Sequence, residues 1–202
     1  PWRITADTAV DSLTHAIEAY VSKKAFAYTD AFALAAMPAI VENVRIACTE
    51  PKNARARAHL MLAASQAGMA FSNSSVALVH GMSRPIGAHF HVAHGLSNAM
   101  LLPKVTEFSI KGHEERYATC ARAMKWAAEK DNDKIACSKL VENLFILNED
   151  LKVPSPRSLG HSANQETLKV MASQALASGS PQNNPRVPTE DQIIQLYDEV
   201  WG

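Results

Sequence analysis

Apolar residues recur along this chain at intervals of three and four, the period of a helix packed on one side. Val10, Leu13, Ile17, Tyr20 and Val21 share such a face, so the spacing predicts a helix over residues 6–22 with Thr5 as its N-cap. The same reading places helices at about 30–48, where Pro38 should kink or restart the helix, and at about 52–71, ending at "SNSS". Pro85 and Gly87 interrupt the next apolar segment, which predicts two short helices or a helix and a loop. "GLSNAMLLPKVTEFSI", "HEERYATCARAMKWAAEK", "DKIACSKLVENLFILNEDL", "NQETLKVMASQALASG" and "TEDQIIQLYDEVW" supply the remaining helices. Proline-rich "VPSPRSLG" and the irregular "SPQNNPRVP" separate the last of them. No segment alternates as a strand does, and no internal repeat is visible. The expected fold class is all-α, a multi-helix bundle over residues 1–202.

Composition narrows the field. With 202 residues, 47% of them hydrophobic, the chain can bury a proper core. Twenty basic residues balance twenty acidic ones, so net charge recruits neither nucleic acid nor an anionic membrane. No run of about 18 consecutive apolar residues suggests a membrane span, and the N-terminus does not resemble a signal peptide. Cys48, Cys120 and Cys137 are odd in number and far apart, which favours buried thiols in a reducing, cytoplasmic setting. A chain that begins at Pro1 and opens a helix by residue 6 reads as a piece of a longer polypeptide. Its eight glycines show neither the G-x-G-x-x-G turn nor a P-loop, so a dinucleotide lacks its usual phosphate cradle here.

Candidate chemistry lies in two stretches. Asp11 and His15 stand four apart on the first helix, and Glu18 joins them on a face away from the apolar stripe. Alone, that face reads as solvated. The segment from 76 to 100 then carries His80, His89, His91 and His94 among apolar residues, glycines and a proline. A single histidine there would be an ordinary core residue, but each buried imidazole needs partners for two nitrogens. A divalent metal meets part of that need. One carboxylate with two or three imidazoles leaves a position open to substrate, as catalytic metal sites do.

"DSLTHAIEAYVS" followed by "VHGMSRPIGAHFHVAHGLSNAMLLP" resembles the C-terminal, helical half of the iron-containing alcohol dehydrogenases. The resemblance, which extends to "NNPRVPTEDQIIQLYDEVW", implies the helical domain of a dehydroquinate synthase-like fold. It implies that Asp11, His15, His80 and His94 hold one metal ion, Fe2+ or alternatively Zn2+. It also implies NAD(P)-dependent interconversion of a small alcohol and its aldehyde, and a homo-oligomer, dimer or larger. NAD(P) would bind only with an N-terminal nucleotide-binding domain that is absent from this chain, so residues 1–202 alone should be inactive. Arg84 departs from the family pattern, standing where many members have a histidine. It is expected either to contact a substrate or cofactor anion, or to face solvent if Pro85 turns the chain. His89 and His91 match no motif position, and one of them at least should lie at the surface. A zinc-dependent glycerol-dehydrogenase-like domain and a non-catalytic helical metal-binding or interaction module are the competing readings.

Overall fold

The computed structural model describes residues 1–202 as nine α-helices and two short 3-10 turns, without a strand. The helices are α1 (Trp2–Val21), α2 (Ala27–Thr49), α3 (Ala54–Asn73), α4 (Leu78–Phe90) and α5 (His94–Ile110). They continue with α6 (Glu114–Ala123), α7 (Asp133–Asp150), α8 (Gln165–Ala177) and α9 (Glu190–Trp201). The all-α expectation holds. One contiguous apolar cluster, from Ala6 in α1 to Trp201 in α9, joins them into a single core.

Helix α1 is the central strut. Its apolar face, including Val10, Leu13 and Ile17, is buried, and it packs on α2, α3 and α5. It begins at Trp2, four residues earlier than its apolar period suggests, so Thr5 lies inside the first turn and is not the cap. Tertiary contacts hold that early turn. Arg3 pairs with Asp7 one turn on and donates to the carbonyl of Leu151 at 2.9 Å. All three cysteines are buried as free thiols.

Pro38 does not restart its helix and Pro85 does not split its segment, while Pro103 lies within its helix as the sequence allows. Pro38, Pro85 and Pro103 each lie inside an unbroken helix. A proline forfeits one ladder bond, and here the surrounding packing outweighs the loss. The histidine segment is therefore one helix, α4, not two. It stops at His91, which adopts the left-handed conformation (φ 54°) and donates its N–H to the Gly87 carbonyl at 3.0 Å. Helix α6 ends at Ala123, short of the expected run to Lys130. There Lys125 turns left-handed (φ 60°) and the N–H of Trp126 reaches back to Ala121 at 2.9 Å, a Schellman closure. Helices α7, α8 and α9 start where asparagine or threonine side chains cap them: Asn132 on Ile135, Asn164 on Thr167 and Thr189 on Gln192.

Helix α2 is long and apolar enough to cross a membrane by length and composition, although no uninterrupted apolar run marks it in the sequence. Half of its most apolar window is buried against neighbouring helices, as in a core helix of a folded domain.

Candidate metal centre

Three helices bring the chemistry together. Helix α1 carries Asp11 and His15 one turn apart, α4 carries His80 in its first turn, and α5 begins with His94. Ligand atoms of Asp11, His15 and His80 all lie within 4.8 Å of one another. Asp11 Oδ1 is 3.5 Å from His80 Nε2, 3.6 Å from His94 Nε2 and 3.9 Å from His15 Nδ1. Around an ion bonded at roughly 2.1 Å, tetrahedral ligand atoms sit about 3.4 Å apart, so these separations suit a divalent metal. Asp11, His15 and His80 therefore converge, and His94 stands beside them through Asp11. Burial is graded: His80 is 3% exposed, whereas His94 is 50% exposed at the mouth. His15 stacks on Phe71 with ring centroids 4.2 Å apart, which fixes its plane.

The close crossing of α1 and α5 depends on Gly95. A Cβ there would lie 2.5 Å from the Asp7 carbonyl oxygen, so only glycine allows the approach that sets His94 beside Asp11.

Two residues complete the site that sequence reasoning did not assign to it. Asn98, one turn after His94 and fully buried, donates from Nδ2 to Asp11 Oδ1 at 2.6 Å. The same nitrogen lies 3.2 Å from both His80 Nε2 and His94 Nε2, at the focus of the ligand set. Its Oδ1 is buried without a partner. A buried amide oxygen without a donor is costly, which marks Asn98 as a polar group the fold alone does not satisfy. Glu18, expected on a solvated face, is instead 3% exposed and binds His80 Nδ1 at 2.6 Å. The i+4 step from His94 and the i+3 step from His15 were the only sequence signals for this pair.

Electrostatics separate the histidines. Burial, reinforced by the neighbouring His80, lowers the His15 pKa to about 4. Burial also lowers that of His94; Asp11 opposes this, while the charges of His80 and Arg84 add to it. Burial would lower His80 as well, but hydrogen bonds to Asp11 and Glu18 prevail and raise it to about 9. Asp11 is held below the usual carboxylate range, because His80, His15 and Asn98 outweigh its desolvation.

The other histidines and Arg84 lie outside the cluster. His89 is exposed and shares a 2.9 Å hydrogen bond with Gln174 of α8, and exposed His91 closes α4. Arg84 lies one turn beyond His80, on the continuous α4 and not on a turn at Pro85, and donates to Ser180 Oγ at 3.0 Å. An open groove of about 850 Å³ lies between α6, α7 and the end of α5. Solvated Lys111, Lys134 and Glu142 line it, without a histidine, and it is remote from the cluster.

An all-α domain whose helices α1, α4 and α5 gather Asp11, His15 and His80, with His94 beside Asp11, carries a candidate metal centre. The chain belongs to the Fe-containing alcohol dehydrogenase family, whose C-terminal region matches residues 5–201. Lactaldehyde reductase of Escherichia coli (strain K12) is 36% identical over 201 residues, covering 100% of this chain and 52% of that protein. 1,3-Propanediol dehydrogenase of Klebsiella pneumoniae is 34% identical over 202 residues, again 100% of this chain and 52% of the relative. Among solved structures, a 1,3-propanediol oxidoreductase superposes with a TM-score of 0.94 at 34% identity, covering 99% of this chain and 52% of the other. Alcohol dehydrogenase from Oenococcus oeni gives 0.93 at 31% identity, with the same coverage. The chain spans about half the length of the curated relatives it matches.

Proposed function

We propose that this chain is the metal-holding half of an NAD(P)-dependent alcohol dehydrogenase or aldehyde reductase acting on small alcohols and aldehydes. The grouping of Asp11, His15 and His80, with His94 3.6 Å from Asp11, carries the reading, and membership of the family supports it. A divalent ion bound by these four, Fe2+ or Zn2+, supplies Lewis acidity toward an alcohol or carbonyl oxygen. Asp11 offsets part of the ion's charge. His15 and His94, already favoured neutral, offer lone pairs without a proton cost. The half-exposed His94 gives the most open approach from solvent among the four. NAD(P) is expected to bind a nucleotide-binding half outside these residues.

His80 sets the pH dependence. Its proton must leave before a metal binds, and the pKa of about 9 keeps that proton on through neutral pH. Zinc affinity is therefore expected to rise about tenfold per pH unit from 6 toward 9 and then level off. Equilibrium titrations across that range check it, and a flat profile would exclude His80 as a ligand. Without metal the sign reverses. The raised pKa contributes stability below about 6.5 that is lost as pH rises through about 9.

Arg84 offers a substrate preference. Its guanidinium forms no carboxylate pair, holds Ser180 through one nitrogen and lies near enough to act on His94. It can clamp an anion through two parallel hydrogen bonds. A polypeptide carrying this chain behind a nucleotide-binding half is expected to turn over 1,3-propanediol with NAD(P)+, while residues 1–202 alone are not. In that polypeptide, Arg84→Leu should cut kcat/KM about tenfold or more for an aldehyde bearing a carboxylate, and little for a neutral one of equal size. Equal losses on both would discard the anion preference. No turnover by the longer polypeptide would leave a non-catalytic metal-binding module.

A further inference from the structure

Glu18 lies deep beneath the cluster, with no route to a substrate. Its carboxylate is 3% exposed and is met by three groups. Oε1 accepts from the N–H of Val79 at 2.6 Å, and Oε2 accepts from the N–H of Ala77 at 2.9 Å. His80 Nδ1 lies 2.6 Å from the same Oε2. Ala77 provides no side-chain cap for α4, so Glu18, reaching across from α1, takes that place.

The donor count at this carboxylate determines which way His80 presents its lone pair. Main-chain N–H groups can only donate, so both oxygens of Glu18 are already committed as acceptors. As an ionised carboxylate Glu18 has no hydrogen to give, so the partner at His80 Nδ1 is then an N–H as well. With its hydrogen on Nδ1, a neutral His80 has its lone pair on Nε2, the atom 3.5 Å from Asp11 Oδ1. An uncapped helix start and a ring tautomer are thus settled by one side chain.

We infer that Glu18 is a positioning residue for the metal centre: by fixing the Nδ1–H tautomer and ring plane of His80, it presents Nε2 to the ion. The inference rests on the reading of Asp11, His15, His80 and His94 as ligands. Outer partners of this kind raise metal affinity by about 10–100-fold where they hold a histidine ligand in place. Glutamine has the shape of Glu18 but only one acceptor oxygen. Its amide must therefore point N–H at an N–H of the α4 start, or donate to His80 Nδ1 and reverse the tautomer.

The test is zinc affinity of the 202-residue chain, measured by chelator competition for the native protein, Glu18→Gln and Leu144→Ala. Leu144 is a buried residue of α7, away from the cluster, and its truncation reports what lost stability alone does to affinity. Glu18→Gln is expected to bind zinc about 10–100-fold more weakly, with Leu144→Ala within about twofold of native. Native-like affinity in a folded Glu18→Gln chain overturns the role of Glu18 while leaving the four ligands intact. Failure of the native chain to bind zinc overturns the ligand reading itself, and this inference with it. If Glu18→Gln does not fold, side-chain nitrogen NMR of the zinc-loaded native chain decides. A slowly exchanging proton on His80 Nδ1 supports the role, and a proton on Nε2 overturns it.

Discussion

With His80 and His94 both replaced by alanine, the purified chain is expected to retain no divalent ion, where the native chain retains about one. The two substitutions remove two of four donors and leave Asp11 and His15, a pair on one helix with no opposing ligand. They act differently on the fold. His94 is half exposed, so its truncation opens no cavity. His80 is buried, and its loss also strips Glu18 of one of its three hydrogen-bond partners. Bound metal stabilises the native state by mass action, by about 2.7 kcal/mol at a hundredfold excess over Kd. Zinc should accordingly raise the melting temperature of the native chain and leave that of the double variant unmoved. Elemental analysis with paired thermal melts measures both, and native stoichiometry in the double variant would remove the assignment.

Gly95→Ala should do comparable damage without touching a ligand. The added Cβ would sit 2.5 Å from the Asp7 carbonyl oxygen, 2.9 Å from its carbon and 3.3 Å from Asp11 Cβ. Main chain cannot swing aside as a flexible side chain can, so α5 must move off α1. Overpacking of this kind costs about 1–3 kcal/mol, or roughly 2–12 °C in melting temperature for a chain of this size. The same shift carries His94 and Asn98 away from Asp11, so zinc affinity should fall as well. Gly68→Ala is the matched control. It lies in the interior of α3 with nothing within 4 Å of the added atom, and should be neutral or stabilising by up to about 1 kcal/mol. A Gly95→Ala chain that melts and binds zinc like the native one would show that this crossing does not position the site.

The histidine-rich stretch pointed to metal chemistry, but only the resemblance to the iron-containing alcohol dehydrogenases singled out His80 and His94 from His89 and His91 as proposed ligands beside Asp11 and His15. The surroundings were not legible. Whether the polar face of α1 meets water or protein depends on helices that begin some 60 residues later, and no local period carries that. Glu18 therefore looked solvated, and Asn98 looked like any polar residue of α5. The missed helix ends share a cause. His91 and Lys125 take up the left-handed conformation usually signalled by glycine, so nothing in the residue type marked the stop. Pro85 failed in the opposite sense, lying inside one unbroken helix, because a breaker's effect is set by the packing around it.

The site also has an anchor at the far end of the chain. Buried Tyr197 of α9 donates its hydroxyl to the carbonyl of Met82 at 2.6 Å, 115 residues away in sequence. That carbonyl lies two residues beyond His80 on the same helix. Synthesis proceeds from one end, so the histidine leaves the ribosome long before the tyrosine that steadies its helix. The helix carrying His80 acquires that tether only once α9 has been made.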